Sequence, residues 1–312
     1  MKTIRWGIIG CGDVTEVKSG PGFRKADHSE LVAVMRRDGK LAEDYARRHN
    51  VARWYDDADA LIADPEVDAV YVATPPSSHK DYTLRAAAAG KPVYVEKPMA
   101  MNHAECLEMI SACRAADVPL FVAYYRRALE RFLRIKALLE DGAIGTPRFV
   151  NTLLYQENRV EPDVDVPWRV LPDIAGGGLF VDLASHTLDF LDFALGPIRS
   201  ARGFAANQGR HYPAEDIVCG AFEFESGVLG TGSWCFTAFE AVDRTEILGS
   251  HGRITFSTFG SEPVLLTTTD GETEFAIEYP AHIQQPLIQS AVSYTHLTLP
   301  TTIGWCSSGW WG

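Results

Sequence analysis

The sequence predicts an α/β protein: an N-terminal doubly wound parallel sheet, then a C-terminal α+β domain with a large, mainly antiparallel open sheet. Three observations lead there. Short apolar runs alternate with helical patterns over about the first 120 residues. From Arg148 onward, strand-like runs follow one another, separated by turn signals such as Glu225-Ser226-Gly227 and Asp270-Gly271. At 312 residues the chain is long enough for two cores.

The elements follow in order. Ile4 to Ile9 is an apolar strand that runs directly into Gly10-Cys11-Gly12. Gly10 permits a tight turn, and Gly12 lets a pyrophosphate approach the backbone. Asp13 and Val14 open a helix whose amides face that phosphate. Thr15 stands where a third glycine is common, and Gly20-Pro21 keeps this helix short or kinked. A second strand, Leu31 to Met35, ends at Arg36-Arg37-Asp38. In dinucleotide-binding units this position reads the adenosine ribose. Arg36 and Arg37 suit the 2′-phosphate of NADP, whereas Asp38 leaves NAD open.

The alternation continues through a strand ending in Thr74-Pro75-Pro76, a rigid loop able to wall a nicotinamide site. His79 opens the next helix, where a structural role also fits it. The following strand, Val93-Tyr94-Val95, ends in Glu96-Lys97-Pro98. Proline biases the residue before it away from helix, so Lys97 sits at the strand's carboxyl end. Ligands bind outside the carboxyl ends of parallel strands, and a lysine there can give or take a proton. A solvated Glu96–Lys97 pair fits the same residues.

In the second half, one helix interrupts the strands. Gly176-Gly177-Gly178 leads into a pattern that places Asp182, His186 and Asp189 on one face. A carboxylate one turn before a histidine fixes its tautomer and raises its basicity. No further His or Cys nearby completes a metal set, so no metal is expected. Upstream, Trp168 and Arg169 offer a stacking ring and a cation for a cofactor, or a loop anchor.

Composition narrows the class. The net charge of −12 argues against nucleic-acid or anionic-membrane partners. No apolar run approaches the roughly 20 residues that span a bilayer. The N-terminus has no signal-peptide pattern, and six scattered cysteines form no CxxC, so a cytoplasmic location is expected.

Together these motifs resemble the glucose–fructose oxidoreductase and inositol dehydrogenase family (Gfo/Idh/MocA). The matching stretches are GIIGCGD at 7–13, ATPPSSH at 73–79, AGKPVYVEKPMA at 89–100, YYRRA at 124–128, WR at 168–169 and GGGLFVDLASHTLD at 176–189. The resemblance implies a Rossmann domain over 1–123 and a substrate-binding and oligomerisation domain over 124–291. It implies that Lys97, Asp182 and His186 act around a substrate hydroxyl, that Glu96 contacts the nicotinamide ribose, and that the Lys97–Pro98 bond is cis. The expected cofactor set is Gly10, Cys11, Gly12, Asp13, Val14, Arg36, Arg37, Thr74, Pro75, Pro76, His79, Glu96, Lys97, Trp168 and Arg169. Arg36, where the family often has aspartate, points to NADP over NAD. Tyr124, Arg127 and Arg169 join the catalytic residues in shaping a polyol pocket. The expected reaction is hydride transfer between nicotinamide and a carbinol or carbonyl carbon of a sugar or cyclitol. A non-catalytic NADP-binding regulator and a redox-assisted glycosidase stay open on the same scaffold. A homodimer or homotetramer through the exposed face of the second sheet is expected.

The C-terminus departs from the rest. No Asp, Glu, Lys or Arg follows Glu278, and Ser293 to Pro300 resembles translated adapter sequence. An authentic chain truncated near residue 291, with 292–312 a foreign or disordered tail, is the expectation; a hydrophobic interface tail is its rival.

Overall fold

A computed structural model describes residues 2–158 and 166–296. The chain forms two compact units: one runs to Tyr125 and takes in the segment returning at Pro280, the other is Arg126–Tyr279.

The first unit holds six strands: β1 (Ile4–Ile9), β2 (Ser29–Met35), β3 (Arg53–Tyr55), β4 (Ala69–Val72), β5 (Val93–Val95) and β6 (Leu120–Val122). They lie in the order β3-β2-β1-β4-β5-β6, and every pairing is parallel. The order reverses between β1 and β4, which sets the switch point where ligands bind. Burial on both faces explains why β4 and β5 are wholly apolar or aromatic.

Helices start where the sequence offers caps. Asp38 accepts from the backbone N–H of Lys40 and Leu41, starting helix Gly39–His49. Asn102 caps helix His103–Ala115 in the same way. The interruption at Gly20-Pro21 resolves as two helices, Asp13–Val17 and Gly20–Lys25, with the proline in the first turn of the second. A Cβ on Gly20 would fall 2.2 Å from Thr15 O and 2.6 Å from the Tyr45 hydroxyl, so only glycine allows this close approach.

The core of this unit is a chain of aromatic contacts. Ring centroids are 4.9 Å apart for Trp6–Phe23, 5.0 Å for Phe23–Tyr71 and 5.3 Å for Tyr71–Tyr94. Ile288, Ala291 and Val292 complete that cluster. They belong to helix Gln285–His296, assigned from sequence to the second domain up to 291 and to a tail thereafter. The correction has a plain cause: the helix buries its apolar face against Gly22, whose Cβ would lie 2.8 Å from Ile288 Cδ1. The helix also runs five residues past the expected break, and Val292 is 1% exposed. Residues 297–312 of the expected tail lie outside the described residues.

The second unit holds β7 (Pro147–Tyr155), β8 (Ile198–Ala206), β9 (Ile217–Phe224), β10 (Leu229–Cys235), β11 (Val242–Gly249), β12 (Gly252–Phe256), β13 (Val264–Thr268) and β14 (Gly271–Phe275). Their order is β14-β13-β12-β11-β7-β10-β9-β8. All pairs are antiparallel except β7 with β10. Helices Glu130–Glu140 and Ser185–Leu195 meet the sheet through Phe132, Phe190 and Phe256, with centroids 4.8 to 6.2 Å apart. Edge-on stacking of this kind adds about 0.5–1.5 kcal/mol per pair beyond area burial.

Candidate active site

In the first unit, the loops after β1, β4 and β5 all leave the carboxyl edge of the sheet. The loop after β1 turns at Gly10, whose φ of +92° and whose Cβ position 2.7 Å from Thr74 Cγ2 require glycine. A Cβ on Gly12 would meet only Gly10 O, at 3.9 Å, so the space above that residue is open. The Gly10 and Cys11 amides donate to Met35 O at 2.9 and 3.1 Å, which fixes the turn, and the room above Gly12 at the helix start fits the pyrophosphate of a dinucleotide. Thr15 is fully buried and donates its hydroxyl to Gly12 O at 2.7 Å, tying the helix start to the turn in place of the missing glycine. Cys11 is buried, and desolvation pushes its thiol up to about 11, so it serves packing. Asp13 is exposed and Val14 half-buried beside it.

At the end of β2, Arg36 and Arg37 are exposed. Arg36 Nη1 approaches Cys11 O at 3.4 Å, which places its guanidinium beside the glycine turn. Asp38, engaged as a helix cap, has one carboxylate oxygen committed to two amides.

The loop after β4 begins with half-buried Thr74 and Pro75; Pro76 is buried and starts a short 3₁₀ turn. His79, expected in the cofactor set, is fully buried. Its Nε2 lies 2.7 Å from Thr74 O and its Nδ1 3.0 Å from Pro98 O. It therefore braces two loops rather than facing a ligand. Burial lowers the imidazole's basicity, while the two carbonyls pull the other way.

After β5, the Lys97–Pro98 bond is cis and Lys97 is half-buried. Glu96 is 7% exposed. Its Oε1 accepts from the Tyr71 hydroxyl at 2.6 Å and from Gln284 Nε2 at 2.8 Å, and its Oε2 from Lys97 N at 3.2 Å. Sequence reasoning missed both partners. Tyr71 reads as a core strand residue, and Gln284 lies 188 positions away in a loop. Tyr124, just after β6, is half-buried.

The second unit carries the other candidates. A π turn, Phe180–Ala184, precedes helix Ser185–Leu195. Its i→i+5 pattern widens the turn, and such turns recur at functional sites. Asp182 lies in this π turn, while His186 and Asp189 lie on the regular helix that follows. Asp182 lies partly exposed with Oδ2 3.8 Å from Arg169 Nε, and the Arg169 guanidinium stacks 4.5 Å over Trp168. His186 is 3% exposed and meets the Phe259 ring edge-on, with centroids 5.9 Å apart. Asp189 turns to Arg127 instead, in a bidentate pair of 2.7 and 2.8 Å. Arg127, expected to shape a polyol pocket, is 8% exposed and also lies 3.8 Å from Asp192. It is a buried structural cation. Burial pushes the Asp189 carboxyl up to about 6 while Arg127 draws it down. No group of three metal-ligating side chains is present among the described residues.

The parallel sheet with its glycine turn at the switch point defines a dinucleotide-binding scaffold. The chain matches the profile of the GFO/IDH/MocA oxidoreductase family, NAD-binding Rossmann fold, over residues 4–124. It matches that family's C-terminal domain over 132–255. It is 40% identical to an oxidoreductase, P35, of Formosa agariphila over 93% of this chain and 90% of that protein. It is 30% identical to a 1,5-anhydro-D-fructose reductase of Ensifer adhaerens over 90% and 85%. Among solved structures, an NAD binding oxidoreductase from Klebsiella pneumoniae superimposes with a TM-score of 0.79 at 25% identity, covering 88% of this chain and 80% of that one. The chain belongs to the GFO/IDH/MocA oxidoreductase family. Among the described residues, no helix is long and apolar enough to cross a membrane.

Proposed function

We propose that the protein is an NADP-preferring oxidoreductase moving a hydride between nicotinamide and a carbinol or carbonyl carbon of a sugar, cyclitol or similar polyol. The cofactor preference rests on one observation: Arg36 reaches the glycine turn while Asp38 is spent on capping a helix. A 2′-phosphate gains a cation there, and a free ribose diol meets an Asp38 whose Oδ1 is already held by two backbone amides. The polyol class is supported by likeness to a relative named a 1,5-anhydro-D-fructose reductase.

When bound, the nicotinamide supplies or accepts the hydride. The turn at Gly10–Gly12 holds the pyrophosphate, Arg36 and Arg37 hold the 2′-phosphate, and Glu96 contacts the ribose. Lys97 hydrogen-bonds the reacting oxygen and stabilises its developing negative charge. His186, oriented by Asp182, takes or returns the hydroxyl proton. Trp168 packs beneath Arg169, which with Tyr124 contributes to polyol recognition. A homodimer or homotetramer is part of this reading; β8 is exposed beyond Ile198, and Phe204 is 87% exposed, which suits a second copy as partner.

The test is absorbance at ~340 nm, where a reduced nicotinamide absorbs, with NADP⁺ or NAD⁺ and a panel of polyols. Substrate-dependent reduction, faster with NADP⁺, supports the reading. Cofactor binding without turnover on any polyol favours the regulator, and net glycoside hydrolysis without net reduction favours the glycosidase.

A further inference from the structure

The loop after β12, Ser257 to Gly260, is tied down from four directions. Asp243 on β11 accepts from the N–H groups of Thr258, Phe259 and Gly260 at 2.9, 2.6 and 3.1 Å. Arg126 Nε donates to Thr258 O at 2.9 Å. From helix Glu130–Glu140, Arg131 Nη2 donates to Ser257 Oγ at 3.1 Å. From helix Ser185–Leu195, Thr187 donates to Thr258 Oγ1 at 3.0 Å. So many bonds on four residues exceed what a connection between two strands needs, since loops ordinarily run over the surface with backbone groups in water. Ser257 and Thr258 are buried, whereas Phe259 is half-buried, so this ring is the part the loop holds up toward its surroundings.

The ring faces two groups. The Arg126 guanidinium lies 4.4 Å from its centroid, and the His186 imidazole lies edge-on at 5.9 Å with an interplanar angle of 79°. Thr187, the residue after His186, is bonded to the same loop. Loop and histidine are thus registered to each other twice, once through the backbone neighbour and once through the ring.

We infer that Phe259 is a positioning residue for His186: it fixes the plane of the imidazole, with Arg126 fixing the phenyl ring in turn. The inference rests on the reading of His186 as the proton carrier. An imidazole turned about its Cβ–Cγ bond presents a different nitrogen to the substrate hydroxyl, and proton transfer demands heavy atoms within about 3 Å. Removing the ring leaves cofactor and substrate contacts in place and lets the imidazole swing. Misplacement of a reacting group by about 1 Å costs up to 10²-fold.

The experiment uses the whole chain with ¹³C-labelled histidine and the variants Phe259→Ala, Phe259→Leu and Phe259→Tyr. In Phe259→Ala the His186 Cε1–H resonance, assigned by its loss in His186→Ala, moves as the phenyl ring current disappears. Turnover falls about 10- to 100-fold while the cofactor KM stays within about twofold. Phe259→Tyr restores both resonance and turnover, because the ring is kept. Phe259→Leu, which keeps apolar volume without a ring, resembles the alanine variant and carries the test if Phe259→Ala fails to fold. An unmoved resonance overturns the contact. A moved resonance with unchanged turnover overturns the positioning role. Unchanged turnover in His186→Ala instead sinks the proton-carrier reading and is read separately from either.

Discussion

The Tyr71 hydroxyl donates to Glu96 Oε1 at 2.6 Å, and burial raises the phenol's pKa so that it stays a donor at every working pH. The carboxylate expected to meet the nicotinamide ribose is therefore aimed from inside the sheet. Tyr71→Phe removes one donor to a buried charge. The expected result is a loss of about 2 kcal/mol in unfolding free energy, with a several-fold rise in cofactor KM and a smaller change in kcat. Denaturant melts and steady-state kinetics check this.

Lys97→Ala and His186→Ala are each expected to lower turnover about 10²–10⁴-fold. Cofactor affinity should change little, because neither side chain is assigned to the adenosine half. Fluorescence titration of NADPH alongside kinetics separates the two effects; near-wild-type turnover in either variant removes that residue from the mechanism.

Arg36→Ala tests the cofactor preference. Losing the cation should weaken NADP⁺ about 10- to 100-fold and leave NAD⁺ nearly unchanged. Equal losses for both cofactors would reassign Arg36 to bracing the glycine turn.

Breaking the buried pair of Arg127 with Asp189 leaves a charge without its partner. Arg127→Met should destabilise the protein by about 3–5 kcal/mol, and the double variant Arg127→Met/Asp189→Leu by less. A thermodynamic cycle of melts measures the coupling. Kinetics of the folded double variant then tests whether Arg127 has any part in polyol recognition.

The pH dependence of stability has a local source at Asp68. Its carboxylate accepts from Arg5 Nε, Nη2 and backbone N at 2.9, 2.9 and 3.0 Å, and Arg5 holds it down to about 2. A carboxylate with a depressed folded-state pKa stabilises fully above its unfolded value near 4 and loses that contribution as pH falls toward 2. Relative to Asp68→Asn, the wild type should be more stable by about 1 kcal/mol at neutral pH, the partial exposure of the site screening the rest. The difference should vanish on acidification through that window in parallel chemical melts.

The residues that were legible in the sequence are those whose signal is local. Alternating apolar runs and helical patterns, the glycines after β1 and the proline after Lys97 each constrain their own backbone, and a doubly wound parallel sheet follows from the alternation. What was hidden depends on which groups a side chain actually meets and on local backbone geometry that residue types do not announce. Asp38 reads equally as a ribose acceptor or a helix cap until Lys40 and Leu41 are seen to take it. The i, i+4 spacing of Asp182 and His186 assumes a regular helix, and nothing in the composition of Phe180–Ala184 announces a π turn. Phe259 is one aromatic after a strand, and its meaning comes only from the imidazole across from it.

The helix Gln285–His296 closes the aromatic cluster of the first unit from the far end of the polypeptide. That nucleotide-binding unit is thus stitched from two pieces separated by the whole of Arg126–Tyr279. During synthesis, Trp6, Phe23 and Tyr94 emerge from the ribosome long before Ile288 and Val292 exist to cover them. The amino-terminal sheet must wait, partly uncovered, until translation has passed through the second unit, and chaperone dependence is expected to concentrate in that interval.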